Sequence, residues 1–292
     1  MKKQIILGHQ NPDVDSIVSG ILLEKFLNKV ANIDAEFVIP DESIEEETKN
    51  ICTTYEIDIN SHCRKLTDAD QEFILVDHNQ REVNGKITGI IDHHPPYNNP
   101  NNLEFYLNEP ASSTAILIVK NDELFFNKKE LEQAVIATLI DTVSFNSSKT
   151  RKIDKLWIEK IIKDYNLNQE KLEKSALYLT NLNKPNVFLN GLKKYQYEDN
   201  IFESSYIQVE NPEENQSKIN SIINNLINYT IDNNLETFIF IVHDMTNFKT
   251  TTYEITKDNI EIKNYDQYTS RGNIIIPKHI EKLSQPKRSS TK

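Results

Sequence analysis

Apolar positions in the first half of the chain follow two rhythms. Short unbroken runs, Ile5-Ile6-Leu7, Phe73-Ile74-Leu75-Val76 and Ile87 to Ile91, read as buried strands. Glu36 to Ile39 and Phe105-Tyr106-Leu107 read as shorter ones. Between them apolar residues recur near every 3.6 positions. Ile17, Val18, Ile21, Leu22, Phe26, Leu27 and Val30 predict one helix. Ser43-Ile44-Glu45-Glu46 has capping-box spacing and predicts another to about Tyr55. Ser112 and Ser113 open a helix through Val119, and two more cover about Lys128 to Leu139 and Ile153 to Tyr165. Strands alternating with helices predict a doubly wound parallel α/β sheet over residues 1–180.

The rhythm breaks at Asn181-Leu182-Asn183-Lys184-Pro185-Asn186, a polar stretch with a proline that reads as a linker over 181–186. Beyond it, Ile201 to Val209, Phe238 to Val242, Thr251 to Ile255, Ile260 to Ile262 and Ile274-Ile275-Ile276 read as strands. Pro212 to Asn233 reads as a helix, with Ile219, Ile222, Ile223, Leu226 and Ile227 on its apolar face. A smaller mixed-sheet α/β domain over 187–284 follows, then a polar, basic tail at 285–292 expected to be disordered.

Imidazoles and carboxylates gather where the predicted first-domain strands and helices end. Gly8-His9-Gln10-Asn11-Pro12-Asp13-Val14-Asp15-Ser16 joins the first strand to the first helix. Asp77-His78-Asn79 and Asp92-His93-His94 each follow a strand, and Asp141-Thr142 follows the fourth helix. Each cluster alone has an ordinary reading. Asp15 could cap its helix, Asp77 could be a strand-end turn residue, and Asp141 could cap a helix end. Together His9, Asp13, Asp15, Asp77, His93 and Asp141 are too many donors for one transition metal with open positions, and enough for two. Mixed nitrogen and oxygen donors suit manganese, cobalt, iron or zinc better than calcium. The two oxygens of Asp77 allow it to bridge. Adjacent His93 and His94 point in different directions, so one can bind metal while the other faces a substrate. Paired metals are a standard device for hydrolysing phosphate esters and anhydrides.

Composition narrows the partners. The chain has 292 residues and a formal net charge of −11, which opposes a phosphate backbone and disfavours nucleic-acid binding. Its two cysteines, Cys52 and Cys63, form no framework and read as free thiols in a reducing compartment. The short apolar run after Lys2-Lys3 is no signal sequence, and no stretch reaches membrane-spanning length, so a cytoplasmic location is expected.

The string from Gly8 to Ser16, with Val76-Asp77-His78-Asn79, Asp92-His93-His94 and Asp141-Thr142, resembles the DHH phosphoesterase superfamily. Within it the chain most resembles the manganese-dependent, or family II, inorganic pyrophosphatases. Glu109-Pro110-Ala111-Ser112-Ser113-Thr114-Ala115, Gly191-Leu192-Lys193-Lys194-Tyr195 and Ser270-Arg271-Gly272-Asn273-Ile274-Ile275-Ile276-Pro277 extend the resemblance. The resemblance implies one metal on His9, Asp13 and Asp77, and a second on Asp15, Asp77, His93 and Asp141. Both would be manganese, with cobalt as the alternative, and magnesium would accompany the substrate. It implies that His94 contacts the phosphate and assists proton transfer, with Asp77 and His94 as the catalytic pair. Lys193 and Arg271 would bind phosphate oxygens, and dimerisation is implied. The expected reaction is hydrolysis of diphosphate to two phosphates by water activated at both metals. A short-chain polyphosphatase or other small phosphoanhydride hydrolase, and a non-catalytic metal- or phosphate-binding paralogue, are the alternatives. The family motif carries two lysines where this chain has Gly272 and Asn273, and an acidic residue where Gly191 stands.

Overall fold

The computed structural model describes residues 2–40, 44–96, 103–198 and 200–284. The chain divides into two compact units, Met1–Phe145 with Lys149–Leu177 and Asn146–Ser148 with Tyr178–Lys292.

The first unit is built on a parallel sheet of β1 (Gln4–Leu7), β2 (Ala35–Val38), β3 (Glu72–Val76), β4 (Lys86–Asp92) and β5 (Phe105–Asn108), in the order β2-β1-β3-β4-β5. That is a doubly wound order, and its switch point lies between β1 and β3. Both faces of β1, β3 and the C-terminal part of β4 are buried, which is why they read as continuous apolar runs. Ile6, Phe37, Ile74, Val76 and Ile91 pack with α1 (Val14–Lys29), α2 (Glu46–Thr54), α3 (Thr114–Asn121), α4 (Lys128–Thr142), α5 (Lys152–Asp164) and α6 (Gln169–Ala176). Ile5, Leu7, Val38, Phe73, Leu75 and Ile90 face the other way, against Leu66, Val83 and Leu103 from the connections. Gly20 of α1 keeps this packing close, since a Cβ there would meet the Phe37 ring at 2.2 Å. Ser43 lies outside the described residues, and α2 starts from Glu45, which makes no side-chain cap. At α3 the cap is Ser113, accepting from the Ile116 amide at 3.2 Å.

The second unit holds a mixed sheet of β6 (Lys193–Tyr197), β7 (Asn200–Val209), β8 (Thr237–Asp244), β9 (Lys249–Ile255) and β10 (Ile260–Tyr265), ordered β10-β9-β8-β7-β6. Only β7 and β8 run parallel, joined by α7 (Gln216–Asp232). Ile219, Ile222, Ile223 and Leu226 of α7 pack on one side of the sheet, with Ile207, Phe238 and Phe240. On the other side Phe202, Ile239 and Ile241 meet Ile275, Ile276, Ile280 and Leu283. Those isoleucines correct the strand expected at Ile274-Ile275-Ile276: a five-residue π-helical turn, Arg271–Ile275, runs into α8 (Ile276–Ser284). Ser270 starts the turn, accepting from the Asn273 amide at 3.4 Å, and Ile276, His279, Ile280 and Leu283 continue the helical spacing. A three-residue apolar run does not distinguish a strand from a buried helical segment. The polar stretch 181–186 consists of turns and lies within the second unit, and the tail 285–292 lies outside the described residues. No helix among the described residues is long and apolar enough to cross a membrane.

Candidate metal centre

The loop from β1 to α1 must pass close to the helix it feeds. A Cβ on Gly8 would meet Ser16 Oγ at 2.2 Å, and that hydroxyl accepts the His9 amide at 3.2 Å. Asp13, rather than Asp15, caps α1, accepting from the Ser16 amide at 3.1 Å. Asp15, one step inside the helix and 3 % exposed, turns to the N-terminus of α3 instead. It accepts from the amides of Thr114 at 2.7 Å and Ala115 at 2.9 Å. A helix N-terminus is a favourable seat for a carboxylate, so the Ser112-Ser113-Thr114 segment helps to hold Asp15.

Asp77 follows β3 across the switch point from His9. Its backbone is left-handed, with φ +63°, and its amide still donates to Ile91 O at 2.9 Å. Asp tolerates this region at some cost, and here it re-aims the carboxylate at the end of the sheet. Thr114 Oγ1 donates to Asp77 Oδ1 at 2.9 Å. His9 Nε2 lies 3.4 Å from Asp13 Oδ2 and 3.6 Å from Asp77 Oδ2. His93 Nε2 lies 3.3 Å from Asp141 Oδ2, 3.5 Å from Asp77 Oδ1 and 3.9 Å from Asp15 Oδ2. The structure thus brings together three overlapping donor groups: His9 with Asp13 and Asp77, Asp15 with His93 and Asp141, and Asp77 with His93 and His94.

Both His9 and His93 are oriented alike. His9 Nδ1 sits 2.8 Å from Gln10 O, and His93 Nδ1 sits 3.0 Å from Ala111 O. A proton on Nδ1 donated to a carbonyl leaves Nε2 as a lone pair directed into the cluster, the usual arrangement behind a metal-ligating histidine. His94 differs: its Nδ1 lies 2.9 Å from Asp92 Oδ1 and its ring is partly exposed. Asp92 is fully buried and also accepts from the amides of His93 and His94 and from Asn79 Nδ2. Burial would raise the Asp92 pKa, yet the His94 hydrogen bond and charge outweigh it and hold the carboxyl below its usual value. Asp92 therefore fixes the His93-His94 pair, a role hidden from the sequence.

The electrostatics of the cluster favour a cation. Burial first, then Asp15, Asp13, Asp141 and Asp92, push Asp77 well above the usual carboxylate range. Burial and Asp141 raise Asp15, while burial and His94 push His93 down. His93 Nε2 and Asp141 Oδ2 are buried without a hydrogen-bond partner. Divalent cations supply the charge and the coordination these atoms call for, and the residues fit two of them sharing Asp77.

Asp141 lies inside the last turn of α4, not beyond it. Three consecutive left-handed residues follow, Val143 (φ +51°), Ser144 (φ +48°) and Phe145 (φ +66°). The turn is held by Thr142 Oγ1, which donates to Thr138 O at 2.7 Å and accepts the Phe145 amide at 3.2 Å. The Ser144 amide also reaches back to Leu139 O at 2.7 Å. The reversal returns Lys149 to Asp141, with Nζ donating to Oδ1 at 2.7 Å. Burial works against charge on Lys149, but Asp141, Asp13 and Asp77 raise its pKa on balance. The sequence offered no signal for this residue, because no glycine marks the turn.

Lys193 and Arg271 belong to the second unit. Lys193 opens β6 opposite Ser204. Arg271 donates from Nη1 to Gly191 O at 2.5 Å and lies 5.2 Å above the Tyr206 ring, whose hydroxyl pairs with Tyr178 at 2.7 Å. Gly191 is left-handed at φ +60°, and a Cβ would meet Tyr206 at 2.2 Å. An acidic side chain has no room there. Gly272 is open, with nothing within 4 Å of a Cβ.

Residues 3–142 match the model of the DHH family N-terminal domain. A candidate manganese-dependent inorganic pyrophosphatase from Listeria monocytogenes is 24% identical over 256 residues, 83% of this chain and 82% of its own. The manganese-dependent inorganic pyrophosphatase of Methanocaldococcus jannaschii is 31% identical over 182 residues, 53% of each chain. The crystal structure of a candidate family II inorganic pyrophosphatase from Methanococcus jannaschii superposes with a TM-score of 0.73 at 20% identity, covering 95% of this chain and 98% of that one.

Proposed function

Because this chain is a member of the DHH superfamily, close to the manganese-dependent family II pyrophosphatases, we propose that it hydrolyses inorganic diphosphate to two phosphates. One observation carries the reading: two donor groups, His9 with Asp13 and Asp15 with His93 and Asp141, meet at the shared, buried Asp77. In this reading His9, Asp13 and Asp77 hold one metal, and Asp15, Asp77, His93 and Asp141 hold the other. Manganese is the proposed metal, cobalt its substitute, and magnesium accompanies the substrate. When bound, two divalent ions neutralise phosphate charge and activate water at neutral pH.

The chain's own residues do the rest. Asp92 holds His94 by Nδ1 and leaves Nε2, on the partly exposed edge of the ring, to contact phosphate and pass a proton to the leaving oxygen. Asp77 keeps the two donor groups in register. Lys193 and Arg271 are the proposed phosphate contacts of the second unit, Arg271 as a bidentate donor. The protein works in the cytoplasm, consistent with two free cysteines, and as a homodimer. The open Gly272 and the uncharged Asn273 support a second reading, a short-chain polyphosphatase that tolerates a longer substrate at this point.

The test is phosphate release by metal-stripped protein after manganese, cobalt, magnesium or zinc is restored, with diphosphate, triphosphate and longer chains as substrates. Manganese-dependent turnover that prefers diphosphate is expected. Preference for longer chains would favour the second reading, and no release from any substrate would remove both.

A further inference from the structure

Asp141 is divided between two neighbours. Its Oδ1 accepts from Lys149 Nζ at 2.7 Å, while Oδ2, with no hydrogen-bond partner, faces His93 Nε2 at 3.3 Å. Both side chains are sequestered, Lys149 at 13% and Asp141 at 15% exposure, so bulk water screens their interaction little. With Asp77 shared, His9, Asp13 and Asp77 bring two carboxylates; Asp15, Asp77, His93 and Asp141 bring three, one of them already bonded to an ammonium. A carboxylate that shares its charge with an ammonium is a poorer partner for a divalent ion, and the ammonium itself repels that ion. The same bond fixes which oxygen of Asp141 faces His93, which favours binding, but it orders a single rotamer and is the smaller effect.

We propose that Lys149 is a positioning residue that lowers the divalent affinity of the Asp15–Asp77–His93–Asp141 site, offsetting the third carboxylate that this site has over the His9–Asp13–Asp77 site. This rests on the two-metal reading of the cluster. Neither the proposed reaction nor the family resemblance uses Lys149.

Calorimetric addition of Mn²⁺ to the metal-stripped full chain tests this without turnover. A charge at 4–6 Å shifts ionic equilibria by about 10- to 1000-fold, so Lys149→Met should tighten binding of one of the two ions at least about tenfold and move the other far less. Lys149→Arg should keep the wild-type affinities, which a merely structural role would not require. Lys149→Gln provides a second neutral variant should Met fold poorly, checked by thermal melting. Wild-type affinities in both neutral variants, equal tightening of both ions, or weaker binding of either ion would overturn the proposal and leave the two-metal reading standing. Binding of no Mn²⁺, or of one ion only, would overturn both.

Discussion

Replacing Asp77 by Asn should change stability in opposite directions with and without metal. The carboxylate is 2% exposed, and one of its oxygens lies within 4.8 Å of an oxygen of Asp13. At an effective dielectric constant of about 20, two unit charges that far apart repel by about 3 kcal/mol. The stripped protein escapes part of this by keeping a proton on Asp77, whose pKa is raised by burial and its acidic neighbours. The folded state therefore holds that proton to higher pH than the unfolded chain. Its contribution to stability is complete below pH ~4 and is lost as pH rises through the folded pKa. Asn has no proton to lose. It can still accept from Thr114 Oγ1, and it is at ease in the left-handed region. In chelator, Asp77→Asn should match wild type at about pH 4 and exceed it at pH 8 by ~1–3 kcal/mol, or about 2–10 °C in melting temperature for a domain of this size. With excess manganese the order should reverse. Wild type gains about 2.7 kcal/mol per site at a hundredfold excess over the dissociation constant, and the variant has lost a ligand to both sites. Thermal melts by circular dichroism under the three conditions provide the assay. A variant that melts at or below wild type in chelator at pH 8 would refute the account of the cluster as crowded carboxylates awaiting a cation.

Other outcomes follow from the same geometry. His93→Ala should lower bound manganese measured by elemental analysis, whereas His94→Ala should keep the metal and lose about 10²- to 10⁴-fold in turnover; equal metal loss in both would break the division of roles. Gly272→Ala should be neutral, because the position is open and not left-handed. Gly272→Lys should improve kcat/KM on diphosphate by roughly 10- to 100-fold, the scale of one charge-assisted contact. An Ala variant as active as wild type beside a Lys variant with no gain would show that no cation is missing there. Arg64, bonded to both Glu36 and Asp70, depresses the Glu36 pKa to about 2. Stability from this network should be complete above pH ~4.5 and lost as pH falls toward 2; acid melts of Arg64→Met should show a shallower slope, the remainder coming from Lys3 on Glu36.

Most of the first unit was legible because its chemistry sits where apolar runs stop. His9, Asp13, Asp77 and His93 are attached to strand ends, and strand ends in a parallel sheet converge on one edge. Side-chain direction was less legible. Asp13 and Asp15 differ by two positions in the sequence, yet one caps its own helix and the other reaches the amides of a helix a hundred residues later. Spacing could not show that. Lys149 was invisible for another reason: the turn that brings it back is made by Val, Ser and Phe in a conformation usually marked by glycine or asparagine. At Gly191 the departure from the family pattern has a steric cause, the Tyr206 ring. At Ile274 to Ile276 a β-branched run concealed a π-turn and the start of a helix.

The left-handed reversal after α4 has a consequence for how the Lys149 cation meets other ions. Lys149 and Asp141 are eight positions apart on one chain and bonded to each other, and the stretch from Thr142 to Phe145 is pinned by its own hydrogen bonds. Their encounter is intramolecular, with an effective concentration of at least millimolar order even for a slack tether, and this tether is not slack. Dilution, dialysis and chelators that would strip a metal ion leave this cation in place. The protein thus carries a permanent, non-exchangeable cation at one end of a cluster whose acidic charge favours further cations from solution.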